Sequence, residues 1–397
     1  MRFKTPLRSR RDTTAAAATS GVALLAAAVA FVANILMARE LGPSARGEVA
    51  WVLQSAYVLA PLMALGVDRE SLRGVGRHLQ SAHSHVWLIA IASVTITVGL
   101  GYYVAAICFA TAAIGASLSI ERGVGMAKGS LGTFLWLQVG VQLWVLSSTV
   151  GLFLLDVDDP ELWVGVYAAP LPIVLALTLS LRGWSFNPRN WRQNFGPVSS
   201  TSIRYMFGGF GSLMASRVER LILPVLASTE ALGLYVAVAT ASEMLVWAGR
   251  GLGESRVVGF MGGSLTRVDL AKRAVRDFIF FALLAVPLAA GIRFLLLPLL
   301  GPSFEPASVL IVPLCLASAA WACYLQISSA WLARGSVGQS MKLDIGAAVL
   351  TTVCVAALIP SLGALGAALG CLLAYSIMII VAVRLLPAEI EDRDHCE

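Results

Sequence analysis

Apolar stretches of this chain alternate with loops whose charge changes sign from one loop to the next, and this pattern constrains the fold most. Basic residues cluster in every second loop, within residues 2–11, 69–77, 122–128, 182–192, 256–276, 334–342 and 384–393. The intervening loops are neutral or acidic. In the first of them, the positive charges of Arg39 and Arg46 are balanced by Glu40 and Glu48. Because basic residues stay on the cytoplasmic side during insertion, the pattern predicts a multi-pass membrane protein whose N- and C-termini both face the cytoplasm.

Composition agrees with this prediction. Apolar residues make up 58% of the 397 residues and charged residues 13%, against roughly 25% charged residues in a typical soluble domain. A spanning helix needs roughly 20 residues, so the chain has room for about twelve spans only if its loops are short. We therefore expect a protein of the cell (plasma or inner) membrane without an attached soluble enzyme domain. The net charge of +6 follows from the cytoplasmic loops, so no nucleic-acid partner is expected.

Apolar stretches long enough to span a membrane can be placed along the whole chain. They lie near residues 18–38, 48–67, 86–102, 103–120, 133–155, 162–181, 204–227, 231–249, 275–297, 307–327, 342–360 and 362–384. The third and fourth stretches share one apolar run, in which Gly99, Gly101, Tyr102 and Tyr103 mark a turn. The sequence thus predicts an all-α membrane protein with about twelve transmembrane helices.

The two halves of the chain resemble each other. Residues Leu36–Ser55 align without gaps on Ile222–Ala241, which places Gly47 over Gly233, and residues 127–132 align on residues 333–338. An even number of spans gives both halves the same orientation, so we expect two six-helix bundles related by a pseudo-twofold axis along the membrane normal. The predicted organisation is a cytoplasmic tail (1–17), an N-terminal bundle (18–181), a cytoplasmic linker (182–203), a C-terminal bundle (204–384) and a cytoplasmic tail (385–397).

Three charged residues, Arg217, Glu219 and Arg220, lie inside the predicted seventh span. Arg217 follows Arg204 by thirteen residues, which places it about 20 Å along the helix. A charged side chain at mid-bilayer costs roughly 2.5–3.5 kcal/mol on insertion scales, so these groups are expected to face the protein interior or a hydrated cavity. Arg217 and Arg220 are three residues apart and therefore share a helix face.

Glu243, in the predicted eighth span, is a candidate partner for Arg217. Glu243 lies about 18 Å and Arg217 about 15 Å from the outer turn between the two spans, so the side chains can pair. Two interpretations stay open here. In one, a buried ion pair only holds spans seven and eight in register; in the other, Arg217 and Arg220 bind a phosphate group in the cavity, because guanidinium groups suit bidentate phosphate contacts. The candidate substrate-binding residues are Arg217, Arg220, Glu219 and Glu243.

Signals for catalysis or cofactor binding are missing. The sequence has no phosphate-binding loop, no dinucleotide-binding glycine motif after a strand and no HExxH pattern. His78, His83 and His85 fall in a predicted cytoplasmic loop, and the six cysteines form no secreted disulfide pattern. We therefore expect no catalytic residue, no metal site and no cofactor. Polar residues of the spans are expected mainly to bond between helices, namely Asn34, Gln54, Gln138, Gln142, Gln326 and Arg293.

Several short segments carry a resemblance to a known family. They are Arg217–Leu223 with Ala231–Ala239, Ala38–Pro43 with Arg46–Glu48, Leu300–Phe304 and Ile359–Ala368. Their residue patterns are similar to those of polysaccharide flippases, which belong to the multidrug/oligosaccharidyl-lipid/polysaccharide exporter (MOP) superfamily. The resemblance implies two six-helix bundles around a central cavity that work by alternating access.

The implied cargo is a polyprenyl-pyrophosphate-linked oligosaccharide, moved to the outer leaflet for surface polysaccharide synthesis, with Arg217 and Arg220 matching the family's cavity arginines. The chain lacks the two extra C-terminal spans of the lipid II flippase branch, which disfavours a peptidoglycan precursor as cargo. A drug or cation exporter of the same superfamily and a membrane glycan polymerase or ligase are the alternatives. The expected partners are the lipid-linked oligosaccharide and membrane lipids, and the protein is expected to be a monomer. Whether an ion gradient or the membrane potential drives transport stays open.

Overall fold

The protein is helical throughout the part of the chain that the structure describes. The computed structural model describes residues 10–68, 79–128, 132–181, 199–261, 267–333 and 337–385. The first helices are α1 (Arg10–Met63), α2 (Leu79–Gly99), α3 (Tyr103–Lys128), α4 (Gly132–Leu154), α5 (Pro160–Ala168) and α6 (Leu171–Leu181). They are followed by α7 (Ser200–Leu226), α8 (Thr229–Ser242), α9 (Met244–Met261), α10 (Arg267–Gly291), α11 (Leu297–Leu300), α12 (Ile311–Ala333) and α13 (Val337–Arg384). A π-helical turn (Ile292–Leu296) joins α10 to α11, and a 3₁₀-helix (Pro302–Leu310) precedes α12.

Among the described residues, 6 helical segments are long and apolar enough to cross a membrane. They are Tyr103–Gly125, Gly132–Leu154, Pro160–Ser180, Val268–Leu300, Pro302–Trp331 and Gly338–Arg384. The bent pair Thr229–Ser242 and Met244–Arg250 makes up to 7 if it counts as one span. The predicted all-α, multi-pass membrane architecture is confirmed, whereas the count of about twelve spans stays a prediction.

The longest of these segments, α13, folds back on itself. Its backbone leaves helical geometry at Gly363, where φ is 55° and ψ is −130°. A Cβ atom on Gly370 would lie 2.9 Å from the Cα of Val355, and one on Gly366 would lie 2.2 Å from the carbonyl oxygen of Leu358. Such contacts between residues 8 and 15 positions apart along the chain require two antiparallel segments with small residues at their crossing. These segments correspond to the predicted spans 342–360 and 362–384.

The turn expected between the third and fourth predicted spans is present. Helix α2 ends at Gly99 and α3 begins at Tyr103. Between them Gly101 has φ of 80°, a left-handed conformation that glycine adopts without steric cost. The single apolar run is therefore divided into two helices at the residues that marked the turn.

The helices pack into two compact units. Unit 1 comprises Met1–Glu40 with Met63–Ser199, and unit 2 comprises Leu41–Leu62 with Ser200–Glu397. Leu41–Leu62, which the prediction placed in the N-terminal bundle, thus packs with the second half of the chain. The physical reason is a break in α1 at Gly42, where φ is 67°. Most of the predicted tails and linker (residues 1–9, 182–198 and 386–397) lies outside the described residues.

Unit 1 buries large aromatic side chains whose polar atoms are satisfied. The indole N–H of Trp163 donates to the carbonyl oxygen of Val157 at 2.7 Å. The indole N–H of Trp87 on α2 donates to the hydroxyl oxygen of Thr178 on α6 at 3.2 Å, and both side chains are buried. Buried Trp side chains need such partners, because an unpaired N–H in the core is costly.

In unit 2, the second segment of α1 crosses α8 at very short range. A Cβ atom on Gly47 would lie 1.8 Å from the carbonyl oxygen of Thr229, and one on Gly233 would lie 1.8 Å from the carbonyl oxygen of Pro43. The alignment of the two halves pairs Gly47 with Gly233 and Pro43 with Thr229. The contact is therefore reciprocal, as a local twofold axis between the two segments produces.

Helix α7 is held along α13 in unit 2. A Cβ atom on Gly211 would lie 3.0 Å from the backbone nitrogen of Ile345, so the two backbones approach closely. The hydroxyl of Tyr375 donates to the carbonyl oxygen of Ala215 at 2.9 Å, and Tyr375 is buried. These contacts fix the position of α7 immediately before its charged residues.

Candidate functional site

Glu243 lies at the break between α8 and α9. Helix α8 ends at Ser242, Glu243 is its C-cap, and the two helix axes are bent by 42°. The Ser318 hydroxyl on α12 donates to the Ser242 hydroxyl oxygen at 3.0 Å, which ties the break to a neighbouring helix. Interrupted spanning helices of this kind often surround substrate or ion sites in transporters.

Both arginines of α7 bind the Glu243 carboxylate. Nη2 of Arg217 donates to Oε2 of Glu243 at 2.9 Å, and Nη2 of Arg220 donates to Oε1. Nη1 of Arg217 also donates to the side-chain carbonyl oxygen of Gln54 at 3.4 Å. One carboxylate at the helix break therefore joins two guanidinium groups that lie one turn apart on α7.

Exposure distinguishes the two arginines. The Arg220 side chain is 3% exposed, and its Nε donates to Oε1 of Glu219, which is 2% exposed, at 3.2 Å. The Arg217 side chain is 19% exposed and that of Glu243 is 17% exposed. Arg220 is enclosed by carboxylates, whereas Arg217 keeps an open side. Of the two guanidinium groups, Arg217 is therefore the one that a ligand can reach.

Arg220 is the counter-ion of the buried Glu219 carboxylate. Its second oxygen, Oε2, is buried and has no hydrogen-bond partner among the described residues. The side chains of Tyr235, Cys371 and Tyr375 are buried in the same region and lie within electrostatic range of the Glu219 carboxylate. Leaving a polar atom unpaired in the interior costs about 1–3 kcal/mol or more, so the pair with Arg220 has to offset that cost.

We call Arg217, Glu219, Arg220 and Glu243 the charged cluster. Two guanidinium groups and two carboxylates give it a formal charge of zero, which explains how four ionised groups persist inside unit 2. An anion that binds Arg217 would compete with Glu243 for that guanidinium. Glu243 would keep its hydrogen bond to Arg220, and Arg220 would then be the one cation shared by Glu219 and Glu243.

The second segment of α1 contributes three side chains near the charged cluster: Arg46, Gln54 and Tyr57. Arg46 is buried and lies within α1, although the sequence suggested an outer loop for it. The charges of Arg46, Arg217 and Glu243 all act on the Tyr57 hydroxyl. The spacing of Arg46, Gln54 and Tyr57 by eight and then three residues places them on one helix face, and this was the signal available in the sequence.

The structure brings together the four candidate residues that the sequence singled out. The ion pair between Arg217 and Glu243, expected from their similar depth, is present, and the pair between Arg220 and Glu243 adds to it. Three of the other polar candidates bond outside the charged cluster. Asn34 donates to the Ala30 carbonyl of its own helix, Gln326 donates to the Gly249 carbonyl, and Arg293 pairs with Glu305.

The prediction that His83 and His85 lie in a loop is wrong, because α2 begins at Leu79 and includes both residues. His83 is buried, and its Nε2 lies 2.9 Å from Oε1 of Glu121 on α3. This carboxylate partner makes the burial of the imidazole tolerable. His78 lies outside the described residues.

Comparison with known proteins identifies the fold. No family model matches the chain, and no curated protein matches its sequence. An inward-facing MATE family multidrug resistance transporter of the MOP superfamily matches with a TM-score of 0.62 at 12% identity, covering 90% of this chain and 93% of that chain. The lipid II flippase MurJ in an inward closed conformation matches with a TM-score of 0.66 at 11% identity, covering 92% and 86% of the two chains. A eukaryotic MATE transporter matches with a TM-score of 0.57 at 13% identity, covering 95% and 96%.

Each of these three structures matches at least 90% of this chain. The matching structures are transporters rather than enzymes. At 11–13% identity they establish the fold. The chain has the fold shared by MATE transporters and MurJ.

Proposed function

We propose that this protein is a transporter that moves a polyprenyl-pyrophosphate-linked oligosaccharide across the cell membrane by alternating access, for surface polysaccharide synthesis. The shared fold with MATE transporters and MurJ supports transport. The sequence segments around Arg217 and Ala231 resemble polysaccharide flippases, which supports a lipid-linked glycan as cargo. The observation that carries the proposal is a partly exposed arginine, Arg217, held inside unit 2 at a helix break.

The physical difficulty of this transport step is desolvation. Sugar hydroxyl and phosphate groups that enter hydrocarbon without partners cost several kcal/mol each. A site inside the protein that offers fixed donors and water lowers this barrier, while the polyprenyl chain stays in the lipid. Ionised side chains inside a membrane protein are rare and commonly mark such a pathway.

Arg217 is the residue we assign to the pyrophosphate. A guanidinium carries five N–H donors in a planar fork that matches two phosphate oxygens. In the described structure Arg217 donates to Glu243 and Gln54, and its side chain remains open. On cargo binding, the pyrophosphate replaces Glu243 at Arg217, and Glu243 stays bonded to Arg220. Arg220 and Glu219 therefore support the site without touching cargo.

Export of a cationic drug is the alternative within the same fold. It is favoured by the match to a multidrug resistance MATE transporter. Arg217 and Glu243 are the partly exposed members of the charged cluster, and a cationic cargo would have to pair with Glu243 while Arg217 repels it. Because we assign the cargo contact to Arg217, the anionic lipid-linked glycan is the better fit.

Deletion of the gene tests the proposal in cells. We expect a lipid-linked oligosaccharide to accumulate with its head group on the cytoplasmic side, and surface glycan to be lost. Lipid extraction followed by identification of the head group measures this. Normal surface glycan without any accumulated lipid-linked precursor, combined with increased sensitivity to cationic drugs, would support the alternative instead.

A further inference from the structure

Tyr57 is an exposed aromatic residue on the segment of α1 that brings Gln54 to the charged cluster. It is 43% exposed. Nη1 of Arg217 donates to the side-chain carbonyl oxygen of Gln54 at 3.4 Å. Tyr57 follows Gln54 by three residues, which is about 4.5 Å along the helix. The aromatic ring is therefore attached within one helical turn of the residue that contacts the Arg217 guanidinium.

The face of α1 that carries Tyr57 changes from buried to exposed at this residue. Four residues fall within about 80° of one another around the helix, namely Arg46, Ala50, Gln54 and Tyr57. The first three are 4%, 1% and 5% exposed, whereas Tyr57 is 43% exposed. Unit 2 is thus tightly packed along this face as far as Gln54, and open space begins at Tyr57.

The Tyr57 hydroxyl lies within electrostatic range of the charged cluster. The charges of Arg217, Glu243 and Arg220 all act on it. Arg217 and Glu243 are themselves 19% and 17% exposed. Three partly exposed side chains, Tyr57, Arg217 and Glu243, therefore border one space in unit 2.

Contact with lipid does not account for the exposure of Tyr57. The residue lies near the middle of the predicted span 48–67, so a ring directed at lipid would carry its hydroxyl into hydrocarbon. An unpaired hydroxyl is unfavourable there, and lipid-facing tyrosines are concentrated at the membrane–water interfaces instead. The mid-span position and the nearby charges together indicate that the ring faces the polar site.

A saccharide linked to pyrophosphate places a sugar ring directly beside the phosphate groups. The faces of such a ring present C–H groups with a small positive charge, and the face of an aromatic ring is negative. An exposed aromatic ring close to a phosphate-binding guanidinium therefore suits the sugar that follows the pyrophosphate. The phosphate groups themselves need N–H donors such as those of Arg217 and have no use for the ring face.

We propose that Tyr57 stacks against the sugar attached to the pyrophosphate, and that this contact makes the protein prefer the glycosylated lipid over the sugar-free carrier. The inference rests on the proposed function, because Arg217 has to hold the pyrophosphate for the sugar to reach Tyr57. Both lipids carry the pyrophosphate group, so Arg217 by itself cannot distinguish them. Discrimination requires a residue that contacts the sugar.

Binding of two lipids to the purified full-length protein in detergent tests the proposal. The lipids are the lipid-linked oligosaccharide isolated from the deletion strain and polyprenyl pyrophosphate without sugar. We expect wild type to bind the glycosylated lipid more tightly. Tyr57→Ala should lose about two- to tenfold in affinity for it, the range of a stacked ring contact. Its affinity for the sugar-free lipid should stay at the wild-type value.

Two further variants separate the ring contact from other effects. Tyr57→Phe keeps the ring without the hydroxyl and should retain the preference for the glycosylated lipid. Phe280→Ala is the matched control, because it removes a ring of similar exposure (49%) from α10, which carries no residue of the charged cluster. It should bind both lipids as wild type does. If Tyr57→Ala does not fold, Tyr57→Leu replaces it, since leucine fills much of the space without an aromatic face.

Two results would overturn the proposal while the proposed function stands. One is a Tyr57→Ala protein that keeps the full preference for the glycosylated lipid. The other is an equal loss of affinity for both lipids in Tyr57→Phe, since the hydroxyl would then contact the phosphate. A wild-type protein that binds both lipids equally would likewise refute only the sugar contact, whereas one that binds neither lipid would refute the proposed function itself.

Discussion

Gly47 and Gly233 occupy equivalent positions in the two halves of the sequence, and their contacts are equivalent as well. Gly47 lies against the backbone of Thr229, and Gly233 lies against the backbone of Pro43, which aligns with Thr229. A Cβ atom on Gly47 would lie 1.8 Å from the carbonyl oxygen of Thr229, and one on Gly233 would lie 1.8 Å from that of Pro43. A self-complementary contact of this kind follows from twofold symmetry. It brings the segment with Gln54 to the charged cluster.

Replacing Gly47 with alanine should destabilise the protein. The added methyl group overlaps backbone atoms, which cannot move aside as the end of a flexible side chain can. Overpacking of this kind typically costs about 1–3 kcal/mol. Thermal unfolding of the purified protein in detergent measures the effect. Gly346→Ala is the matched control, because nothing lies within 4 Å of its Cβ position; equal stability of the two variants would contradict the close crossing.

A disulfide across this crossing should block transport reversibly. The hydroxyl oxygens of Ser44 and Thr229 lie 3.4 Å apart, so cysteines at both positions are within reach of each other. In the proposed alternating-access cycle, the helices that close one side of the pathway separate during each cycle, and we propose that this crossing is one of those contacts. We expect Ser44→Cys/Thr229→Cys to lose transport under oxidation and to recover it with a reductant, while each single variant stays active. Full activity of the completely cross-linked protein would show that this crossing does not open.

Particular residues show how far the sequence determined the fold. The loop charges and apolar stretches predicted a helical multi-pass protein, and Gly99 and Gly101 marked the turn between α2 and α3. The packing of Leu41–Leu62 in unit 2 was not predicted, because periodicity shows that a helix exists but not which neighbour it packs against. The break at Gly42 and the close contact at Gly47 are the local causes.

The candidate site was predicted in part. Charge inside an apolar span is costly enough to single out Arg217, Glu219, Arg220 and Glu243 from the sequence alone. The sequence could not show that Glu243 binds both arginines, because this depends on the bend between α8 and α9. His83 was missed because its partner, Glu121, is 38 residues away along the chain.

Removal of Arg220 should damage the fold more than removal of Arg217. Arg220 is 3% exposed and bonds both Glu219 and Glu243. Its loss leaves the buried Glu219 carboxylate without a partner, although Glu243 keeps its bond to Arg217. Breaking a buried ion pair in this way typically costs about 3–5 kcal/mol. We expect Arg220→Ala to reduce expression and melting temperature strongly, with partial recovery in Arg220→Ala/Glu219→Gln. An Arg220→Ala protein as stable as Arg217→Ala would contradict the supporting role of Arg220.

Binding of cargo by Arg217 is the central claim, and the affinity of the purified protein for a polyprenyl-pyrophosphate-linked oligosaccharide tests it most directly. Arg293→Ala is the matched control, since it removes an arginine whose partner, Glu305, is exposed. We expect Arg217→Ala to stay folded and to lose at least about tenfold in affinity, the equivalent of about 1.4 kcal/mol for one charged contact. Arg293→Ala should bind as the wild type does. A folded Arg217→Ala protein with wild-type affinity for this lipid would contradict the account.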